Sequence, residues 1–162
     1  MKTLWMMVGT PGCGKSWIAK NFLMKDASWD YVSRDEVRFS IITDEDDYFG
    51  KENLVFAKYV QAIKKSFTQD GVENVIADAT HLNWPSRRKL INALKSNVNI
   101  VPVVVSAPIE EILENNDERT GRSRVPRSVV RRMNAQMTDP ITDPYHYADI
   151  KYIDNTRGET ND

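Results

Sequence analysis

Apolar positions in this chain gather into short runs separated by longer stretches with helical spacing. The runs Leu4–Val8, Asp30–Ser33, Val75–Asp78, Ile100–Val105 and Ile150–Ile153 predict strands. Ile100–Val105 is rich in β-branched residues and has no polar position, as expected of a strand covered on both faces. Between the runs, helices are predicted over Lys15–Met24, Asp35–Ile42, Glu52–Gln69, Pro85–Ser96, Pro108–Asn116 and Pro126–Met137. The longest carries Leu54, Val55, Ala57, Val60, Ala62, Ile63 and Phe67 close to a helical period, and Gly71 ends it. Alternation of this kind predicts an α/β fold, a parallel sheet with right-handed crossovers. The polar end Asn155–Asp162 reads as a frayed tail.

The segment after the first strand reads Gly9-Thr-Pro-Gly-Cys-Gly-Lys-Ser16, the pattern GxxxxGK(S/T) in its strand-then-helix context. Glycines let the backbone curl so that successive N–H groups face phosphate oxygens, and the following helix adds its positive end. Gly9, Thr10, Pro11, Gly12, Cys13, Gly14, Lys15 and Ser16 are therefore the expected ATP contacts. Lys15 is assigned to the β- and γ-phosphates, and the Ser16 hydroxyl to Mg²⁺. Cys13, close to a helix N-terminus, is expected to have a lowered thiol pKa and to be alkylated unless ATP protects it.

The exit of the second strand adds chemistry. Ser33-Arg34-Asp35-Glu36 is a capping box, with Ser at N-cap and Glu at N3. It starts a helix at the carboxyl end of a strand, the edge where open α/β sheets bind ligands. Asp35 in the first turn can face a reacting phosphate, and Arg38 lies three residues on, on the same face. A carboxylate beside a guanidinium suits an acceptor with a hydroxyl to deprotonate and an anionic group to anchor. The third strand ends in Asp78, which either holds Mg²⁺, directly or through water, or pairs with an arginine from a mobile segment. His81 reads as a polar wall residue. Residues 117–132 hold the densest charge, with Arg119, Arg122, Arg124, Arg127, Arg131 and Arg132 against Asp117 and Glu118. The stretch 117–125 has the composition of a lid, whose arginines stabilise charge on transferring phosphates.

Composition narrows the class. The 162 residues carry a net charge of −1 with 28% charged positions, so any attraction to nucleic acid must be local. One cysteine excludes an intrachain disulfide, and two distant histidines argue against a zinc site. No apolar run approaches the ~20 residues that span a bilayer, and the amino terminus lacks a signal-peptide pattern. The expectation is a cytoplasmic protein with no membrane contact. No Asn-Lys-x-Asp guanine-reading segment occurs, which counts against a GTPase. Trp17, Trp29 and Trp84 are read as packing residues before base-stacking ones. The acidic turn Asp44–Asp47 is read as solvated before cation-binding.

Taken together, these motifs resemble the 5′-hydroxyl polynucleotide kinases, in particular the kinase domain of phage-type polynucleotide kinase–phosphatases. The resemblance rests on Gly9–Ser16, on Ser33-Arg34-Asp35-Glu36-Val37-Arg38, on Asp78-Ala-Thr-His-Leu-Asn83 with Pro85 and Arg87-Arg88, and on the arginine lid ending in Val125-Pro126. It runs from Lys2 to about Met137. It implies a three-layer P-loop kinase fold over residues 1–154, with about five parallel strands in the order 2-3-1-4-5 and helices on both faces. It implies a catalytic set of Asp35, Lys15, Arg119 and Arg122, with Asp35 as general base toward a 5′-OH. Arg38, Arg34, Asp35, Thr80 and Arg87 would bind the acceptor, a DNA or RNA end, with Arg38 on the phosphate 3′ of the terminal nucleoside. Arg119 would contact the ATP phosphates with Asp78 helping to hold it, and Ser16 and Asp78 would serve Mg²⁺. The Asp78–Pro85 stretch and the lid are each one residue longer than the phage pattern, which leaves Arg119 and Arg122 both in play. The Asp-x-Asp-Gly-Thr phosphatase signature is absent from the sequence, so no 3′-phosphatase activity is expected of it. The alternative is a kinase of a sugar, an antibiotic or a nucleotide sugar. A non-catalytic nucleotide switch is a third reading.

Overall fold

A computed structural model describes residues 2–94 and 98–156. Five strands, β1 (Thr3–Val8), β2 (Trp29–Ser33), β3 (Asn74–Asp78), β4 (Asn99–Ser106) and β5 (Lys151–Asp154), form one sheet in the order β2-β3-β1-β4-β5. All neighbours run parallel. The expected order 2-3-1-4-5 is therefore the observed one. The helices are α1 (Lys15–Ile18), α2 (Arg34–Ile41), α3 (Glu52–Phe67), α4 (Trp84–Leu94), α5 (Ile109–Asp117) and α6 (Arg127–Gln136).

Side chains alternate across the sheet, so each strand feeds two cores. Leu4 and Met6 of β1 and Val75 and Ala77 of β3 pack with Tyr59 and Ile63 of α3 and Leu90 of α4. Met7 and Ile76 point the other way, onto Ile18, Ile112, Leu113 and Val130. Burying each such side chain contributes about 1.5–3 kcal/mol, which makes the sheet the rigid centre of the molecule. Pro102 sits inside β4 without weakening its far edge, because pairing with β5 begins one residue later, at Val103.

Three details differ from the periodic reading. The predicted helix Lys15–Met24 widens after Ile18 into a π-turn over Ala19–Leu23, closed by Met24 N–H donating to Ala19 O at 3.1 Å. In α3 the apolar Leu54 is exposed, whereas Tyr59 is fully buried and takes its place in the core. Asn155, placed in the frayed tail, is anchored: its N–H donates to Ser106 O at 2.7 Å and its side chain reaches Cys13 O at 3.0 Å. The rest of that tail, from residue 157, and the end of the predicted helix Pro85–Ser96 lie outside the described residues.

Candidate active site

Residues 9–16 leave β1 and curl into α1. Gly12 and Gly14 have φ of +95° and +89°, a region that side chains adopt only with strain. Gly12 is also crowded, since a Cβ there would lie 2.5 Å from the carbonyl oxygen of Ile112. The loop's outward carbonyls are tied back. Asn115 Nδ2 donates to Gly12 O at 2.9 Å, Asn155 Nδ2 to Cys13 O, and Cys13 N–H to Thr10 O at 3.1 Å. Held this way, the loop keeps its shape at the N-terminal end of α1, the end of a helix that favours an anion. Pro11, Lys15 and Ser16 line a cavity of about 710 Å³. Thr10 and Cys13 are turned inward and buried, so their side chains do not line the cavity.

Beside the loop, Ser16 Oγ donates to Asp78 Oδ2 at 2.6 Å. The Tyr31 phenol donates to the same oxygen. Burial and the Asp78 charge push the Tyr31 pKa well up, which keeps it a donor. A hydroxyl and a carboxylate in contact are hard oxygen ligands of the kind Mg²⁺ prefers, so the pair fits that ion. Thr80, two residues past Asp78, also lines the cavity.

Another wall of the cavity is set by α2. Ser33 Oγ accepts from Glu36 N–H at 3.2 Å, so the expected N-cap forms. Register pairs Ser33 with Asp78, which brings the start of α2 next to the Ser16–Asp78 pair. Asp35 and Arg38 form an ion pair one turn apart, on the cavity wall. Asp35 Oδ1 also accepts from the Tyr48 hydroxyl at 2.6 Å. Arg38 is only 4% exposed, and its Nη2 reaches both oxygens of Glu52, at 2.8 and 3.0 Å. Glu52 holds Arg34 as well. Its position at the first turn of α3 marks it as a helix-start residue in sequence, and nothing local ties it to Arg38. Tyr48 lies 4.2 Å under the Arg38 guanidinium and sits in a loop with no motif. Sequence reasoning missed Glu52, Tyr48 and Tyr31, because only folding brings them to the site.

The far wall carries Arg119, Arg122 and Arg124 from the stretch 117–125. Arg119 Nη1 donates to Ser123 O at 3.3 Å, and Arg124 Nε donates to Arg119 O at 2.9 Å. Arg122 is directed across the cavity to the acidic turn, where it donates to the carbonyls of Thr43, at 2.7 Å, and Asp46. Arg127 pairs with Asp117 at the surface, and Arg131 and Arg132 are exposed. In the acidic turn Asp46 accepts from Thr43 N–H at 2.8 Å and pairs with Lys51, which together pull its pKa down.

Two expectations require correction. Arg87 does not face the cavity. It is fully buried and forms a bidentate ion pair with Asp143, at 2.7 and 3.0 Å, and also donates to Thr138 Oγ1 and His81 O. Its neighbourhood in sequence to the Asp78 strand end hid that α4 turns it inward. Cys13 is no exposed thiol: it is fully buried in the core under the loop, and its sulfur fills the space beside Gly9. His81 is also buried. Its Nδ1 donates to Met7 O at 2.6 Å and its Nε2 accepts from Tyr59 OH at 3.3 Å, while burial brings its pKa down to about 3. It is a neutral structural residue. Trp29 packs on Trp5 and Trp17 on Phe22, as expected of packing residues.

Residues 4–140, most of the chain, match the family described as AAA domain. The chain belongs to the AAA domain family. Among solved structures, this AAA domain is similar to a chain of the Pnkp1/Rnl/Hen1 RNA repair complex, with a TM-score of 0.67 and 26% identity over 83% of its length. It spans only 43% of that longer chain. A fungal RNA kinase shares the fold at a TM-score of 0.62 and 11% identity, covering 99% of this chain and 76% of the other. So does a gluconokinase from Sinorhizobium meliloti, at 0.52 and 16%, covering 98% and 83%. Family, strand order and phosphate loop give the chain a fold of the P-loop kinase type. Among the described residues no helix is long and apolar enough to cross a membrane.

Proposed function

We propose that this chain transfers the γ-phosphoryl group of ATP to the 5′-hydroxyl end of a DNA or RNA strand, a reaction of nucleic-acid repair. The observation that carries the reading is one cavity wall: Asp35, paired with the nearly buried Arg38, opens into the same space as Lys15 and Ser16. A general base therefore stands beside a fixed cation, across from the phosphate loop. The 26% identity to a chain of an RNA repair complex supports a nucleic-acid acceptor.

Asp35 Oδ1 is held by Arg38 and Tyr48, which leaves Oδ2 to take the proton of the acceptor hydroxyl. As that proton moves to Asp35, the hydroxyl oxygen bonds to the γ-phosphorus, and the bond to the β–γ bridging oxygen breaks to release ADP. Lys15 neutralises the β- and γ-phosphates. Ser16 and Asp78 would hold Mg²⁺, which when bound offsets charge on the transferring phosphates. Arg38 is nearly buried, with Nη1 and Nη2 held by Asp35, Tyr48 and Glu52, so it would act on an acceptor phosphate through its charge at the cavity wall. Arg119 in the lid covers the transferring group.

The test is γ-labelled ATP offered to a 5′-OH oligonucleotide and to a panel of sugars. Label on the oligonucleotide, lost when its 5′ end is already phosphorylated, is the expected result. Its KM should rise with salt, with a log–log slope of roughly 0.7 per phosphate contacted. Label on a sugar alone overturns the reading in favour of a small-molecule kinase, and label on neither overturns the polynucleotide acceptor.

A further inference from the structure

Two large apolar rings stand exposed on the acceptor side of the cavity. Phe39 is 39% and Phe49 57% exposed, and both line the cavity with Tyr48 between them. Tyr48 meets Phe49 edge-on at 4.6 Å and Phe39 at 6.0 Å. The cluster is anchored rather than loose. The Tyr48 hydroxyl is fixed to Asp35, and the Arg38 guanidinium lies 4.2 Å from the Tyr48 ring and 5.6 Å from that of Phe49. Resting on the position of Asp35 and Arg38 proposed above, we infer that Phe49, with Phe39 beside it, is the platform on which the terminal base of the acceptor strand stacks.

Exposed aromatic faces are costly in water and idle in catalysis, but any base can stack on them, which suits an enzyme reading ends of varied sequence. The surrounding charge matches the same ligand. Arg34, Arg38 and the lid arginines face the cavity, so anions are accepted next to flat apolar rings, the combination a nucleotide presents. A sugar acid satisfies the charge and leaves the rings bare. Tyr48 links the two functions, because the side chain that fixes Asp35 also sets the orientation of the rings. A base stacked there places its own sugar near the carboxylate.

The experiment compares three acceptors of one length: a normal 5′-OH oligonucleotide, one whose terminal sugar is abasic, and one with terminal 2-aminopurine. The wild-type chain should favour the normal end over the abasic end by about 5- to 150-fold in kcat/KM, the range expected of one stacked base. It should also quench 2-aminopurine fluorescence on binding. Phe49→Ala, and more weakly Phe39→Ala, should erase both the preference and the quenching, and Phe49→Trp should keep both. Equal use of normal and abasic ends by the wild type, or a preference that survives Phe49→Ala, overturns the platform while the polynucleotide kinase reading stands. A rise in KM for ATP in Phe49→Ala, with acceptor preference intact, would assign the rings to the donor base and overturn it too. If no oligonucleotide is phosphorylated, that reading falls and takes the platform with it.

Discussion

Asp35 combines exposure with restraint: half of its side chain meets solvent, yet one of its oxygens is held by Arg38 and Tyr48. Its removal separates chemistry from binding. Asp35→Ala should lower kcat by about 10²- to 10⁴-fold, the usual worth of a positioned base. Nucleotide affinity measured by titration calorimetry should stay within a factor of a few, because Asp35 is no part of the phosphate loop. Equal losses in both would contradict the base assignment. His81 works through a different property. It sits at φ +41° and is buried neutral, with a folded pKa of about 3 against an ordinary 6.5. Between those values the unfolded chain binds a proton that the folded chain refuses, so stability rises with pH across the window. The folded state should lose about 2 kcal/mol from this residue between pH 7 and pH 5. His81→Asn tolerates the backbone conformation and should flatten that slope in urea titrations. An unchanged slope would place the titration elsewhere.

At the scale of elements, two strand-to-helix exits line the cavity, and they are built differently. The β1 exit depends on backbone shape. Gly12 needs both its positive φ and the absence of a Cβ, which would lie 2.5 Å from Ile112 O. Gly12→Ala should therefore weaken ATP binding by more than tenfold, as read by calorimetry or a fluorescent nucleotide. ATP affinity like that of the wild type would mean the loop tolerates a reshaped turn. The β2 exit depends on side chains instead: Ser33 caps α2, and one turn later Arg38 is clasped by Glu52 from α3. Both exits were legible in the sequence, because a glycine-rich loop and a capping box are local patterns. Glu52 was not, since it is joined to Arg38 only by the packing of α2 on α3. The π-turn after Ile18 was equally hidden, as its residues have ordinary helical composition.

Across the whole molecule, the buried Arg87–Asp143 pair fastens α4 to the segment that leads into β5. Both side chains are essentially excluded from water, at 0% and 1%. Arg87→Met should destabilise the fold by about 3–5 kcal/mol in denaturant titrations, because buried Asp143 would keep only the Tyr147 hydroxyl and lose its cation. The double variant Arg87→Met with Asp143→Leu should recover most of that, since it removes both charges together. Failure to recover would show that the bonds of Arg87 to Thr138 and His81 O matter more than the ion pair.

Local order alone determined which segments become strands and helices along the chain, the phosphate loop and the Asp35–Arg38 turn. Each of these is written in residues a few positions apart, through their periodicity and backbone preferences. Tertiary structure alone decided which charged and aromatic groups share the cavity. It turned Arg87 and Cys13 inward, brought Glu52 and Tyr48 to Arg38, and put Tyr31 on Asp78. The reason is physical: burial and partnership of a polar side chain depend on which helix and strand faces meet across the sheet, and a linear sequence does not record that meeting.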